Sequence, residues 1–245
     1  MARLCLLLLV CLVALLLSAA AWQRRLLYFP THHDRSNGLE NWRAQGELIG
    51  FARTVPAPKN VWLMLHGNGG QASDRAYALP SFAGDDSVYI LEYPGYGRRP
   101  GTPSKETLNR AAQQGYLLLR QQFPATPVCV VGESLGSGPA CSLAAMVPQP
   151  DKIVLVAPFD KLHRVGQYHY PFLPVRLLLS DDWDNIEALK GYRGRVEIFG
   201  ITRDEVIPMK FAKTLAESRP AATFREIEGG HNDWATPGRV SIKNP

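Results

Sequence analysis

Residues 132–136 read Gly-Glu-Ser-Leu-Gly, a G-x-S-x-G pattern, and a serine in that setting can act as a nucleophile. The pattern alone is weak, since ordinary Gly and Ser usage puts it by chance in roughly one chain of this size in ten. Its flanks give it meaning. Val128-Cys129-Val130-Val131 before it is an apolar run of strand length, and Pro139-Ala140-Cys141-Ser142-Leu143-Ala144-Ala145 after it is helix-like. A strand that must turn sharply into a helix within a few residues needs small side chains at the turn. Such a turn lifts the Ser134 hydroxyl off the sheet edge and aims the Leu135 backbone N–H at the same point. An ordinary glycine turn uses the same residues, so the serine counts as chemistry only if partners stand elsewhere in the chain.

The partners required are a histidine to take the serine proton and a carboxylate to hold that histidine. Downstream, Val196–Gly200 reads as a strand, and Asp204 lies in the loop after it. Thr223–Ile227 reads as another, followed by Gly229-Gly230-His231. Upstream, the apolar run Val61–Leu65 ends in His66-Gly67-Asn68-Gly69-Gly70. Glycines there free the backbone to turn N–H groups inward, which makes the Asn68 N–H an oxyanion donor candidate beside that of Leu135. Asp160, just after the predicted strand Ile153–Ala157, is the rival for the acid.

These segments, "LHGNGG", "LEYPGYG", "GESLGSG", "ITRDEVIP" and "GGHND", resemble the α/β-hydrolase superfamily over nearly the whole chain after the N-terminal segment. Within it they are similar to the membrane-associated serine hydrolases that include lysophospholipid hydrolases and protein depalmitoylases. The resemblance implies a mostly parallel sheet flanked by helices and the chain order serine, acid, histidine, hence Ser134, Asp204 and His231. His66 precedes the serine and reads as a structural residue of its loop. The implied activity is hydrolysis of carboxylic esters or thioesters through an acyl-enzyme, with no metal or cofactor. An acyltransferase with the same triad and a non-catalytic binding module of this fold are the alternatives.

Composition agrees with one such domain. The 245 residues are 46% hydrophobic and 20% charged, enough for a sizeable core, and the net charge is +5. No Lys/Arg block suits nucleic acid, and no Cys/His spacing suits zinc. Met1–Ala21, with Arg3 its only charge, is an apolar run just long enough to span a bilayer, and Ser18-Ala19-Ala20-Ala21 offers a cleavage site. It reads as a signal peptide or transmembrane anchor, so the chain is expected to be membrane-anchored or exported. Residues 22–46 read as a linker and 47–245 as the hydrolase domain. Pro56-Ala57-Pro58 suggests a hairpin turn, and Ser104 an N-cap for a helix ending at Pro124. Phe159–Tyr192, rich in aromatics and prolines, is the one excursion large enough to serve as a short lid and to line an open groove for lipid-like acyl chains. A histidine base must be neutral to accept the serine proton, which predicts turnover that falls on acidification.

Overall fold

The continuous apolar runs become the middle of an eight-stranded sheet in the computed structural model, which describes residues 22–34, 38–236 and 238–242 and the isolated positions 3, 10 and 18. In chain order the strands are β1 (Phe29–Pro30), β2 (Glu40–Ala44), β3 (Glu47–Arg53), β4 (Val61–Leu65), β5 (Gly69–Gly70), β6 (Ser87–Leu91), β7 (Val128–Glu133), β8 (Lys152–Val156), β9 (Arg195–Ile201) and β10 (Thr223–Ile227). The large sheet has the order β10-β9-β8-β7-β4-β6-β3-β2, and β3 alone runs against the rest. Every residue of β4, β6, β7 and β8 is buried. This is why these strands read as unbroken apolar runs: helices and loops cover both faces of a parallel sheet.

The period-two alternation of a strand divides the core in two. Leu63, Val130 and Leu155 face a layer with Leu108, Tyr116 and Cys141, while Trp62, Met64, Val131 and Val154 face a layer with Phe82 and Trp234. The first layer is closed by α2 (Lys105–Gln122), whose Ser104 Oγ accepts from the Thr107 N–H at 3.1 Å. A Cβ on Gly115 of this helix would sit 3.1 Å from Leu91 and Trp42 side-chain atoms, so the glycine allows close seating on the sheet. The remaining helices are α3 (Ser137–Ser142), α4 (Leu162–His169), α5 (Val175–Leu178), α6 (Asn185–Ala188) and α7 (Met209–Glu217). Cys129 and Cys141 are free, buried thiols.

Two expectations need correction. Residues 22–46 do not form a plain linker. Residues 22–27 are helical (α1), β1 pairs in parallel with β5, and β2 is an edge strand of the main sheet. The polar character that suggested a linker belongs to a half-exposed edge. The turn at Pro56–Pro58 does not close a hairpin either. β3 pairs with β6, so the chain crosses over to enter β4 in the middle of the sheet. Among the described residues no helix is long and apolar enough to cross a membrane, and the expected apolar segment Met1–Ala21 lies outside the described residues save positions 3, 10 and 18.

Candidate active site

β7 ends at Glu133 and the chain reverses at once into α3. Ser134 sits at the reversal with φ +54, a left-handed conformation that is costly for a residue with a side chain. The flanking glycines are there for space. A Cβ on Gly132 would lie 2.7 Å from the Ala140 Cβ and from the Gly136 carbonyl oxygen, and one on Gly136 would collide with the Leu65 carbonyl oxygen. The turn therefore tolerates no larger residue at either position, and it projects Ser134 from the carboxyl end of β7.

Neighbouring parallel strands deliver the other groups to the same end of the sheet. Asp204 follows β9 and His231 follows β10. His231 Nε2 lies 2.9 Å from Ser134 Oγ, and His231 Nδ1 lies 2.7 Å from Asp204 Oδ2. The other Asp204 oxygen accepts from the Val206 and Ile207 N–H groups at 2.9 and 2.7 Å, which fixes the plane of the carboxylate. Ser134 and Asp204 are both buried. In this geometry the imidazole can take the hydroxyl proton while the carboxylate holds the tautomer that leaves Nε2 free to accept. The structure thus brings Ser134, Asp204 and His231 together. It places Asp160 elsewhere: that carboxylate is fully buried, accepts from the Lys161 N–H at 2.6 Å, pairs with Arg164, and is pushed up by burial.

The loop after β4 faces the serine. A Cβ on Gly67 would lie 3.4 Å from the Ser134 Cβ, so the Gly67–Asn68 peptide runs beside Ser134. Asn68 is fixed at both ends. Its side-chain amide donates to the Leu27 carbonyl at 2.7 Å, and its own carbonyl accepts from Tyr96 Oη at 2.9 Å and from the Phe29 N–H at 3.2 Å. His66 is buried, its Nδ1 2.7 Å from the Gly67 carbonyl and its ring against Tyr93 at 4.3 Å between centroids. It braces the loop.

A cleft of about 470 Å³ opens on Ser134 and His231, with Tyr77, Val206 and Arg75 among its walls. No residue of the 159–192 excursion lines it, against expectation. That excursion folds into α4, α5 and α6 and reaches the rim through His169 Nε2, 2.8 Å from the Val206 carbonyl. Glu133, Arg75 and Tyr77 are the site residues that the sequence reading missed. The available signal was a carboxylate at the end of an otherwise apolar, buried strand, which must have partners. Among the described residues no group of His, Cys, Asp and Glu is arranged to hold a metal ion.

Comparisons with known proteins converge on one fold. A model of the alpha/beta hydrolase family matches residues 62–241. An uncharacterized protein of Mycobacterium tuberculosis is 33% identical over 238 residues, covering 90% of this chain and 84% of that one. The lysophosphatidylserine lipase ABHD12 of Danio rerio is 29% identical over 200 residues, which cover 73% of this chain and 52% of the lipase, about half its length. Among solved structures, an esterase of Pyrococcus furiosus superposes with a TM-score of 0.63 at 12% identity, covering 85% of this chain and 90% of that one.

Proposed function

The chain belongs to the alpha/beta hydrolase family, and from that premise we propose that it is a serine hydrolase cleaving carboxylic esters or thioesters through an acyl-enzyme on Ser134. The observation that carries the proposal is the chain of contacts from Ser134 Oγ to His231 Nε2 at 2.9 Å and from His231 Nδ1 to Asp204 Oδ2 at 2.7 Å. Ser134 Oγ attacks the acyl carbonyl carbon as His231 Nε2 takes the hydroxyl proton. Asp204 stabilises the imidazolium that forms, and the Asn68 and Leu135 N–H groups bind the oxyanion. Collapse of the tetrahedral intermediate breaks the bond to the leaving alkoxide or thiolate, which receives the proton from His231. Water then attacks the acyl-enzyme by the same route in reverse.

None of residues 159–192 lines the cleft, which suits acyl chains that extend out of it. A lipid-like acyl ester agrees with the lysophosphatidylserine lipase among the relatives. The apolar run Met1–Ala21 is the proposed signal or membrane anchor, and it delivers the chain to exposed Trp22 and Leu26 of α1.

The test is Ser134→Ala in the full chain. Wild type should hydrolyse p-nitrophenyl esters and react covalently with a fluorophosphonate. The variant should do neither, with a loss of up to roughly a million-fold in kcat. Retention of most activity by the variant would refute the assignment.

A further inference from the structure

The Glu133 carboxylate, one residue before the nucleophile, has four partners, and they come from three different segments around Ser134. Oε2 accepts from the Gly67 backbone N–H at 3.3 Å and faces Arg75 Nε at 3.2 Å. Oε1 accepts from Tyr77 Oη at 2.9 Å and from Trp234 Nε1 at 3.2 Å. Arg75 extends the tie by donating through Nη2 to the Gly69 carbonyl. One carboxylate is thereby joined to the loop that carries Asn68, to the 3-10 helix Ala72–Ser81, and to the loop that carries His231.

The Glu133 and Arg75 side chains are only 7% and 11% exposed. An exposed ion pair would constrain little, because water replaces either partner cheaply. A buried carboxylate cannot give up its donors without a heavy desolvation cost, so it and the groups around it move as one unit. Two other roles fit poorly. A general base needs a carboxylate that can accept a proton. Burial pushes the Glu133 carboxyl up, but the Arg75 charge and the hydrogen bonds from Tyr77 and Trp234 outweigh burial and hold it below the ordinary glutamate range. Charge recognition of a substrate by Arg75 would compete with the carboxylate already beside that guanidinium.

We propose that Glu133, with Arg75, is a positioning residue for acyl transfer: it sets the spacing between Ser134 and the Gly67–Gly69 loop, and so the place at which the oxyanion is bound. This rests on the serine hydrolase reading above. Glu133 borders the cleft, but both of its carboxylate oxygens are taken by protein donors, so its part is neither to bind substrate nor to carry the proton. Its effect reaches the reaction through the Gly67 N–H and the Asn68 peptide beside it.

Glu133→Gln in the full chain keeps the side chain's size but turns an NH2 group toward donors that need an acceptor. Three measurements are taken: kcat and KM on p-nitrophenyl butyrate, and the affinity of an alkylboronic acid, which forms a tetrahedral adduct on the serine. Misplacing one oxyanion donor should lower kcat by about 30-fold with KM within about twofold. Boronate affinity should fall in proportion to kcat/KM, a correlation that a merely structural role would not produce. Tyr77→Phe removes a single donor and serves if Glu133→Gln does not fold, with an expected loss in kcat of about threefold at unchanged KM. A folded Glu133→Gln enzyme with kcat within twofold of wild type would overturn the proposal. So would a rise in KM at unchanged kcat, which would make the cluster a substrate contact. If wild type itself neither hydrolyses esters nor reacts with a fluorophosphonate, the serine hydrolase reading falls as well, and the two failures are told apart by that control.

Discussion

The turn at Gly132–Gly136 is held by close approach of backbone atoms, whereas the loop at Gly67–Gly70 opposite it is held by side chains and strands from distant parts of the chain. On the serine side the causes lie within five residues and their immediate neighbours: a left-handed Ser134 and two glycines whose places admit no Cβ. On the loop side Tyr93 Oη donates to the His66 carbonyl at 3.0 Å, Tyr96 Oη to the Asn68 carbonyl at 2.9 Å, and β1 pairs with β5. A nucleophile needs one fixed atom, which a rigid turn supplies. An oxyanion site needs the spacing between two segments to be right, which only contacts that cross between segments can set.

Of the variants that test this comparison, one at Asp204, the proposed acid, has the largest expected effect. Asp204→Asn should cut kcat by about 10⁴-fold, since the histidine tautomer would be lost while the geometry remains. Asp160→Asn should leave kcat within a fewfold of wild type, because that carboxylate is occupied by Arg164 and the Lys161 N–H. The reverse ranking on the same ester assay would move the acid to Asp160 and undo the geometry argued for the site.

Gly136→Ala comes next and tests the steric half of the comparison. The added methyl would meet the Leu65 backbone, which cannot swing aside as a side chain can. Overpacking of this kind costs about 3 kcal/mol, which for a chain of this size lowers Tm by about 10 °C in a thermal melt. A variant with wild-type Tm would show that the elbow is looser than its contacts imply.

These two halves also differ in how far they could be read from the sequence. The elbow was legible because its cause is local: small residues between a strand and a helix. The meeting of Asp204 and His231 with Ser134 could be anticipated because parallel strands end at one edge of the sheet, and each residue follows a segment that reads as a strand, Val196–Gly200 and Thr223–Ile227. The braces could not. Asn68 and Leu27 are 41 residues apart, and no local pattern announces a contact at that range. Residues 22–46 look like a linker because β1 is only two residues long, β2 is a short edge strand with exposed polar side chains, and the segment buries little beyond Tyr28 and Trp42. The excursion after β8 was visible as a block, but whether it covers the cleft depends on how α4 and α5 pack, which periodicity does not encode.

The smaller effects belong to the loop side, and Asn68 is the sharper of the two. Asn68→Ala keeps the backbone N–H but removes the amide that reaches the Leu27 carbonyl. If that bond orients the peptide, kcat should fall about tenfold with KM unchanged. A KM effect alone would show that the amide meets substrate instead.

The smallest expected effect tests whether the segment before β1 takes part at all. Tyr28 is buried, and its Oη donates to Asp181 Oδ2 at 3.0 Å, the same oxygen that Arg24 Nε reaches at 2.9 Å. The next residue, Phe29, donates its N–H to the Asn68 carbonyl. Tyr28 therefore stands between an anchor at Asp181 and the loop beside Ser134. Tyr28→Phe removes one hydrogen bond to a buried carboxylate that keeps Arg24, which costs about 1.5 kcal/mol and lowers Tm by about 3–6 °C. Slack introduced at residue 28 is passed on to residue 29 and, through it, to Asn68. The expected kinetic result is a loss in kcat of about twofold at constant KM, because β1 still pairs with β5 and Tyr96 still holds the Asn68 carbonyl. Combined with Asn68→Ala the losses should fall short of their product, since both variants loosen one connection. A Tm drop with no change in kcat, or fully multiplicative losses in the double variant, would make residues 22–31 a stabilising wrap with no part in placing the loop.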